Sequence, residues 1–66
     1  MLTTINGQSH QLPCGTTLSG LIEQLGLDGQ RLVVERNRQI VPHDHYKTTK
    51  LEEGDVLEIV QFVGGG

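Results

Sequence analysis

One apolar stripe limits what this chain can become. Leu18, Leu21, Ile22 and Leu25 fall at i, i+3, i+4 and i+7, the spacing that lines one face of an α-helix. No other stretch of the 66 residues repeats it as clearly. A lone helix has no second helix to bury that face against, so it must cover a sheet. The apolar share of 35% suffices for one sheet face under one helix. A chain this short buries only about 60% of the surface its unfolded form exposes, so the core is thin. One cysteine, Cys14, excludes an internal disulfide.

Composition removes several function classes. Five Lys or Arg stand against eight Asp or Glu, a formal charge of −3, with one Phe, one Tyr and no Trp. Neither a cationic footprint nor stacking aromatics are there to hold nucleic acid. No apolar run approaches the roughly 20 residues that span a bilayer. The N-terminal Met-Leu-Thr-Thr-Ile-Asn-Gly lacks a basic region followed by a long apolar stretch. The expectation is a cytoplasmic chain, intact from residue 1. Catalysis by the chain alone is not expected, because a domain of this size rarely encloses a pocket with converging polar groups.

Around the helix the sequence reads as strands. Leu2–Ile5 and Gln8–Leu12 flank Asn6-Gly7, a strong two-residue hairpin signal. Thr17 is the natural N-cap of a helix over Leu18–Leu25, and Gly26 stands where a left-handed residue ends it. Arg31–Arg36 has β character, Asn37-Arg38 makes a tight turn into Gln39–Val41, and Pro42 suits a sheet edge. His43–Lys50 is polar and irregular, with one helical turn around Tyr46. After the turn Glu53-Gly54-Asp55, Val56–Val63 is apolar on both faces and suits a central strand. This order predicts an α+β fold of the ubiquitin-like β-grasp plan: a mixed sheet of four to five strands with one main helix on one face. The first and last strands run parallel, side by side. Leu57 and Ile59 are expected under the helix, with Val60 and Phe62 on the open face. Residues 1–63 form the domain, and residues 64–66 a flexible tail.

Three of the nine glycines, Gly64, Gly65 and Gly66, are the last three residues. Without Cβ atoms they can enter a tunnel too narrow for side chains, and three extended residues reach about 10 Å. A carboxylate at Gly66 is a poor electrophile and needs activation, most simply as an acyl-adenylate made from ATP. The residues alone leave this reading open beside that of a frayed end or an expression scar.

The segment Val34-Glu35-Arg36-Asn37-Arg38-Gln39-Ile40-Val41-Pro42, then Tyr46, then Leu51 to Val60, then Phe62-Val63-Gly64-Gly65-Gly66 resembles the ThiS family of sulfur carriers in bacterial thiamine biosynthesis. The similarity runs over essentially the whole chain. It implies a β-grasp fold and a C-terminal glycine, here Gly66, that an enzyme related to ubiquitin-activating enzymes adenylates at the expense of ATP. It further implies conversion to a thiocarboxylate, sulfur drawn ultimately from a cysteine desulfurase, and delivery to thiazole synthase. Gly65 precedes Gly66 in the required pair, and Gly64 occupies a more tolerant position. No bound cofactor and no metal are implied, and the carrier needs no catalytic side chain, since a thiocarboxylate is anionic at neutral pH. A carrier of another pathway, such as the small subunit of molybdopterin synthase, and a non-covalent ubiquitin-like module with an inert tail are the alternatives.

Other residues carry weaker signals. Val60, Phe62 and Val63 are docking candidates, because apolar side chains on an open face beside a functional tail mark interfaces. Cys14, between Pro13 and Gly15, reads as an ordinary half-buried side chain. His43-Asp44-His45 lacks a third dependable ligand, so solvated histidines are expected there and at His10. Arg31, Arg36, Arg38, Lys47 and Lys50 read as mixed surface charge. Glu52, Glu53, Asp55 and Glu58, with no basic residue in positions 51–66, read equally as a solvated turn or as an acidic guide for a basic partner.

Overall fold

The structure, a computed structural model, describes residues 1–62. Strands β1 (Leu2–Ile5) and β2 (Gln8–Gln11) form the first hairpin, and helix α1 covers Leu18–Gln24. Strands β3 (Leu32–Arg36), β4 (Gln39–Val41) and β5 (Val56–Gln61) complete a five-stranded sheet of order β2-β1-β5-β3-β4. β5 is central, parallel to β1 and antiparallel to β3. β4 is the edge beside β3, as Pro42 implied. This is the ubiquitin-like β-grasp arrangement.

Local chemistry explains most boundaries. Thr17 caps α1, its Oγ1 accepting from the Gly20 amide at 3.1 Å. Gly26 follows the last turn at φ +71, a conformation costly for residues with a Cβ. Both hairpin turns hold two consecutive positive φ values, Asn6 and Gly7 in one, Asn37 and Arg38 in the other. That geometry matches the twist of the flanking strands.

Several expected bounds shift. β2 ends at Gln11, and Leu12 becomes a buried core residue. β3 starts at Leu32, because Gly29–Arg31 is a 3-10 turn capped by the Asp28 carboxylate on the Gln30 amide. The turn expected around Tyr46 is a 3-10 turn at His43–His45, with Tyr46 at its C-cap. β5 ends at Gln61, short of Val63. Leu25 is the main correction: it is the C-cap of α1 and is 37% exposed. The helix stops one residue before its fourth stripe position can reach the sheet. Leu27, beyond the bend at Gly26, packs partly against the core instead.

The core joins Leu18, Leu21 and Ile22 of α1 to Ile5, Leu32, Val34, Leu57 and Ile59 of the sheet. Leu12, Tyr46 and Leu51 close it from the loops. Those loops hold the helix: the Leu18 and Ser19 amides donate to the carbonyls of Thr49 and Tyr46.

Two turn asparagines clamp the central strand. The Asn6 amide group donates to the Ile59 carbonyl at 3.2 Å and accepts from the Ile59 amide at 2.8 Å, extending the β1–β5 ladder past the end of β1. Asn37 Oδ1 accepts from the Val56 amide at 3.0 Å, and the Asn37 amide donates to the Val56 carbonyl. Its Nδ2 donates to Asp55, which also accepts from Arg36 Nε at 2.9 Å and from the Glu52 amide at 2.8 Å. Asp55 is thus buried at 5% exposure, not part of a solvated acidic surface. Burial pushes its carboxyl up, but the hydrogen bonds from Glu52, Asn37 and Arg36, with the Arg36 charge, outweigh this and leave it below the ordinary carboxylate value. A lowered folded-state pKa contributes stability above the unfolded value of about 3.9, and that stability disappears as pH falls through the folded value. Asp55→Asn should therefore cost about 1–3 kcal/mol at neutral pH. The difference from the parent should shrink in urea titrations taken below about pH 4. A variant as stable as the parent at pH 7 would show that this carboxylate does not organise the start of β5.

Candidate functional site

The geometry that bears on function is the end of the central strand. Register on β3 alternates Leu57 and Ile59 toward α1, at 0% and 8% exposure, with Val60 and Phe62 outward, both at 56%. The expected face assignment is therefore what the structure shows. The Phe62 amide still donates to the Arg31 carbonyl at 2.8 Å, so the backbone stays tied to the sheet up to the last described residue. The remaining docking candidate, Val63, and the tail residues Gly64, Gly65 and Gly66 lie outside the described residues.

Sequence reasoning missed part of this face. Val33 lies opposite Val60, and Ile40, 68% exposed on the edge strand, lies opposite Glu35. The alternation Ile40-Val41 in a three-residue strand is too short to reveal its parity. The Asn37-Arg38 turn could have fixed it, because a two-residue loop sets hairpin register.

The other candidates are dispersed. Cys14 is exposed, not half-buried, because the chain turns at Gly15 before the helix. His43 is not simply solvated: its Nε2 lies 2.9 Å from the Leu32 carbonyl, and its ring centroid is 5.0 Å from that of Tyr46. The His45 side chain makes no hydrogen bond among the described residues; its backbone amide donates to the Pro42 carbonyl and its carbonyl accepts from the Thr48 and Thr49 hydroxyls. Of the basic residues, Arg36 is taken by Asp55, and Arg31 meets Asp28 at 3.8 Å in an exposed pair of little energetic weight. Glu53 accepts from the Leu2 amide, while Glu58 stands on the open face. A shallow cleft lined by Ser19, Gln30, His43, Asp44 and Tyr46, among others, opens between the two 3-10 turns. Among the described residues no three His, Cys, Asp or Glu side chains gather as a metal-ligand set, and no helix is long and apolar enough to cross a membrane.

A ubiquitin-like sheet with an apolar open face at the end of its central strand defines the class. The family model described as the ThiS family matches residues 2–66. The chain belongs to the ThiS family. It is 40% identical over 50 residues to the sulfur carrier protein ThiS of Bacillus subtilis, covering 76% of each chain. To that of Escherichia coli it is 30% identical over 66 residues, covering all of both. A thiazole synthase of Paramagnetospirillum magneticum is 41% identical over 66 residues, and there the chain spans only 20% of the relative's length. Among solved structures, a thiamine biosynthesis protein (ThiS) of Geobacter metallireducens superposes with TM-score 0.85 at 25% identity, covering all of both chains.

Proposed function

We propose that this chain carries sulfur for thiazole formation in thiamine biosynthesis, as a protein substrate and not as an enzyme. The family match through residue 66 supports this reading most strongly. In it, the Gly66 carboxylate attacks the α-phosphorus of ATP on an activating enzyme and pyrophosphate leaves. A persulfide, its outer sulfur drawn ultimately from a cysteine desulfurase, then displaces AMP to give an acyl disulfide. Attack of a second thiol on the carrier's S–S bond releases the thiocarboxylate and leaves a disulfide. Gly64 and Gly65 supply a segment without side chains, narrow enough for an active-site tunnel. Thiazole synthase takes up the sulfur. Relatives that bear that name contain a stretch similar to this chain, which supports a physical association between the two activities. ATP is consumed by the activating partner, and the thiocarboxylate is the only covalent group.

Val60, Phe62 and Val63 are the docking residues of this reading. An aromatic side chain that is half-exposed beside the reactive tail suits an interface anchor. Phe62→Asp should weaken binding to the activating enzyme about tenfold or more by calorimetry, with the thermal midpoint close to the parent's. Unfolding of the variant would place Phe62 in the core, and parental affinity would remove this face from the interface.

A further inference from the structure

The chain's two asparagines both hold the central strand, but they stand before different residues. Asn6 precedes Gly7 in the first hairpin turn, and Asn37 precedes Arg38 in the second. An asparagine side chain is open to attack by the backbone nitrogen of the next residue, and a following glycine, lacking a Cβ, hinders that attack least. Beyond the chain neighbours, nothing lies within 4 Å of where a Gly7 Cβ would stand, and Asn6 is exposed. Steric cover therefore does not shield this pair. Hydrogen bonds restrain it instead. Asn6 Nδ2 donates to the Ile59 carbonyl at 3.2 Å, its Oδ1 accepts from the Ile59 amide at 2.8 Å, and its backbone amide donates to the Leu57 carbonyl at 2.9 Å. Turning Cγ onto the Gly7 nitrogen requires the side chain to leave Ile59.

We propose that Asn6 is a modification site, a position of spontaneous deamidation that the folded sheet suppresses and that opening of the first hairpin releases. In the reaction the Gly7 nitrogen bonds to Asn6 Cγ, the Cγ–Nδ2 bond breaks, and ammonia leaves with the Gly7 proton. Water then opens the cyclic imide at either carbonyl, leaving aspartate or isoaspartate. Neither product rebuilds the clamp. In aspartate an oxygen replaces the Nδ2 donor and meets the Ile59 carbonyl, acceptor against acceptor. Isoaspartate lengthens the backbone of a turn whose two-residue span sets the β1–β2 register. The local loss is large, because β1 and β5 are in register only at Thr4–Val56 and Ile5–Leu57. Asn37 is the contrast within the same chain: it holds Val56 at 3.0 Å, yet the Arg38 side chain hinders attack on it. A hairpin that opens thus becomes unable to close as before. The inference does not depend on the sulfur-carrier reading.

The test incubates the full chain in mildly alkaline buffer, with and without guanidinium chloride, and follows replacement of the side-chain NH2 by OH through peptide mapping by mass spectrometry. In denaturant Asn6 should deamidate well ahead of Asn37. Gly7→Ala, compared in denaturant so that the positive φ of Gly7 in the fold has no bearing, should slow the change at Asn6. In buffer alone the parent should deamidate at Asn6 at least about tenfold more slowly, since both side-chain hydrogen bonds must open first. Asn6→Asp should lower the thermal midpoint by about 4 °C or more. The rate comparison uses only the parent chain, so it decides the matter whether or not Asn6→Asp folds. Equal rates at Asn6 in buffer and in denaturant overturn protection by the fold, and an Asn6 that stays intact in denaturant overturns the site itself. A folded Asn6→Asp chain with the parental midpoint overturns the claim that deamidation breaks the clamp.

Discussion

The chain lacking Gly66 is expected to fold like the parent and to lose thiocarboxylate formation. Removing one extended residue retracts the terminal carboxylate by about 3.5 Å. Reacting groups tolerate far less, since misplacement by about 1 Å can cost on the order of a hundredfold in rate. The loss should thus exceed a hundredfold in ATP–pyrophosphate exchange with the activating enzyme, while the thermal midpoint stays put. One appended residue should fail similarly, by overshooting. Cys14→Ser and His45→Ala should load normally, because both side chains are exposed and neither makes a side-chain hydrogen bond among the described residues. Intact mass reads the outcome directly, as sulfur replaces oxygen at the terminus. Full loading without Gly66, or loss of loading in a folded Cys14→Ser chain, would mean that the sulfur is carried elsewhere.

The second large effect concerns the contact between helix and sheet. Leu21 is 1% exposed in the centre of the core, and Leu21→Ala should cost about 2–5 kcal/mol through lost burial and the cavity left behind. Against a total of about 3–10 kcal/mol for a domain of this size, that leaves a substantial unfolded fraction. Leu25→Ala is the internal comparison. Although Leu25 belongs to the same stripe, it is 37% exposed at the C-cap, and its truncation should cost about 1 kcal/mol or less. Urea midpoints of the two variants should therefore separate clearly. Equal costs would mean that the helix buries its full stripe in solution.

The proposed carrier function calls for a rigid body, and the central strand is held on several sides. Asn6 and Asn37 clamp the central strand from the two hairpin turns, and Asp55 in turn holds the Asn37 side chain and the Glu52 amide. The last described residue, Phe62, is still tied to Arg31. The open face at the same end is free for recognition, because α1 covers only the other side.

What the sequence by itself determined were the features set by neighbours a few residues apart. The helix stripe, the Thr17 cap, the turns at Asn6-Gly7 and Asn37-Arg38, and the alternation of Leu57 and Ile59 against Val60 and Phe62 all have periods of two to four residues. From them the element order, and with it the β-grasp plan, could be read. The tertiary structure alone decided features that join distant positions. Asn6 bonds to Ile59 from 53 residues away, Asp55 pairs with Arg36 across 19, and Glu35 meets Glu58 only through β3–β5 register. In sequence those residues are a turn former and ordinary surface charges. Leu25 shows the converse, an apolar residue with correct spacing that the helix end leaves exposed. Local spacing specifies which face a side chain takes, whereas its partner is specified by strand register and helix termination, and both of these depend on the whole packed chain.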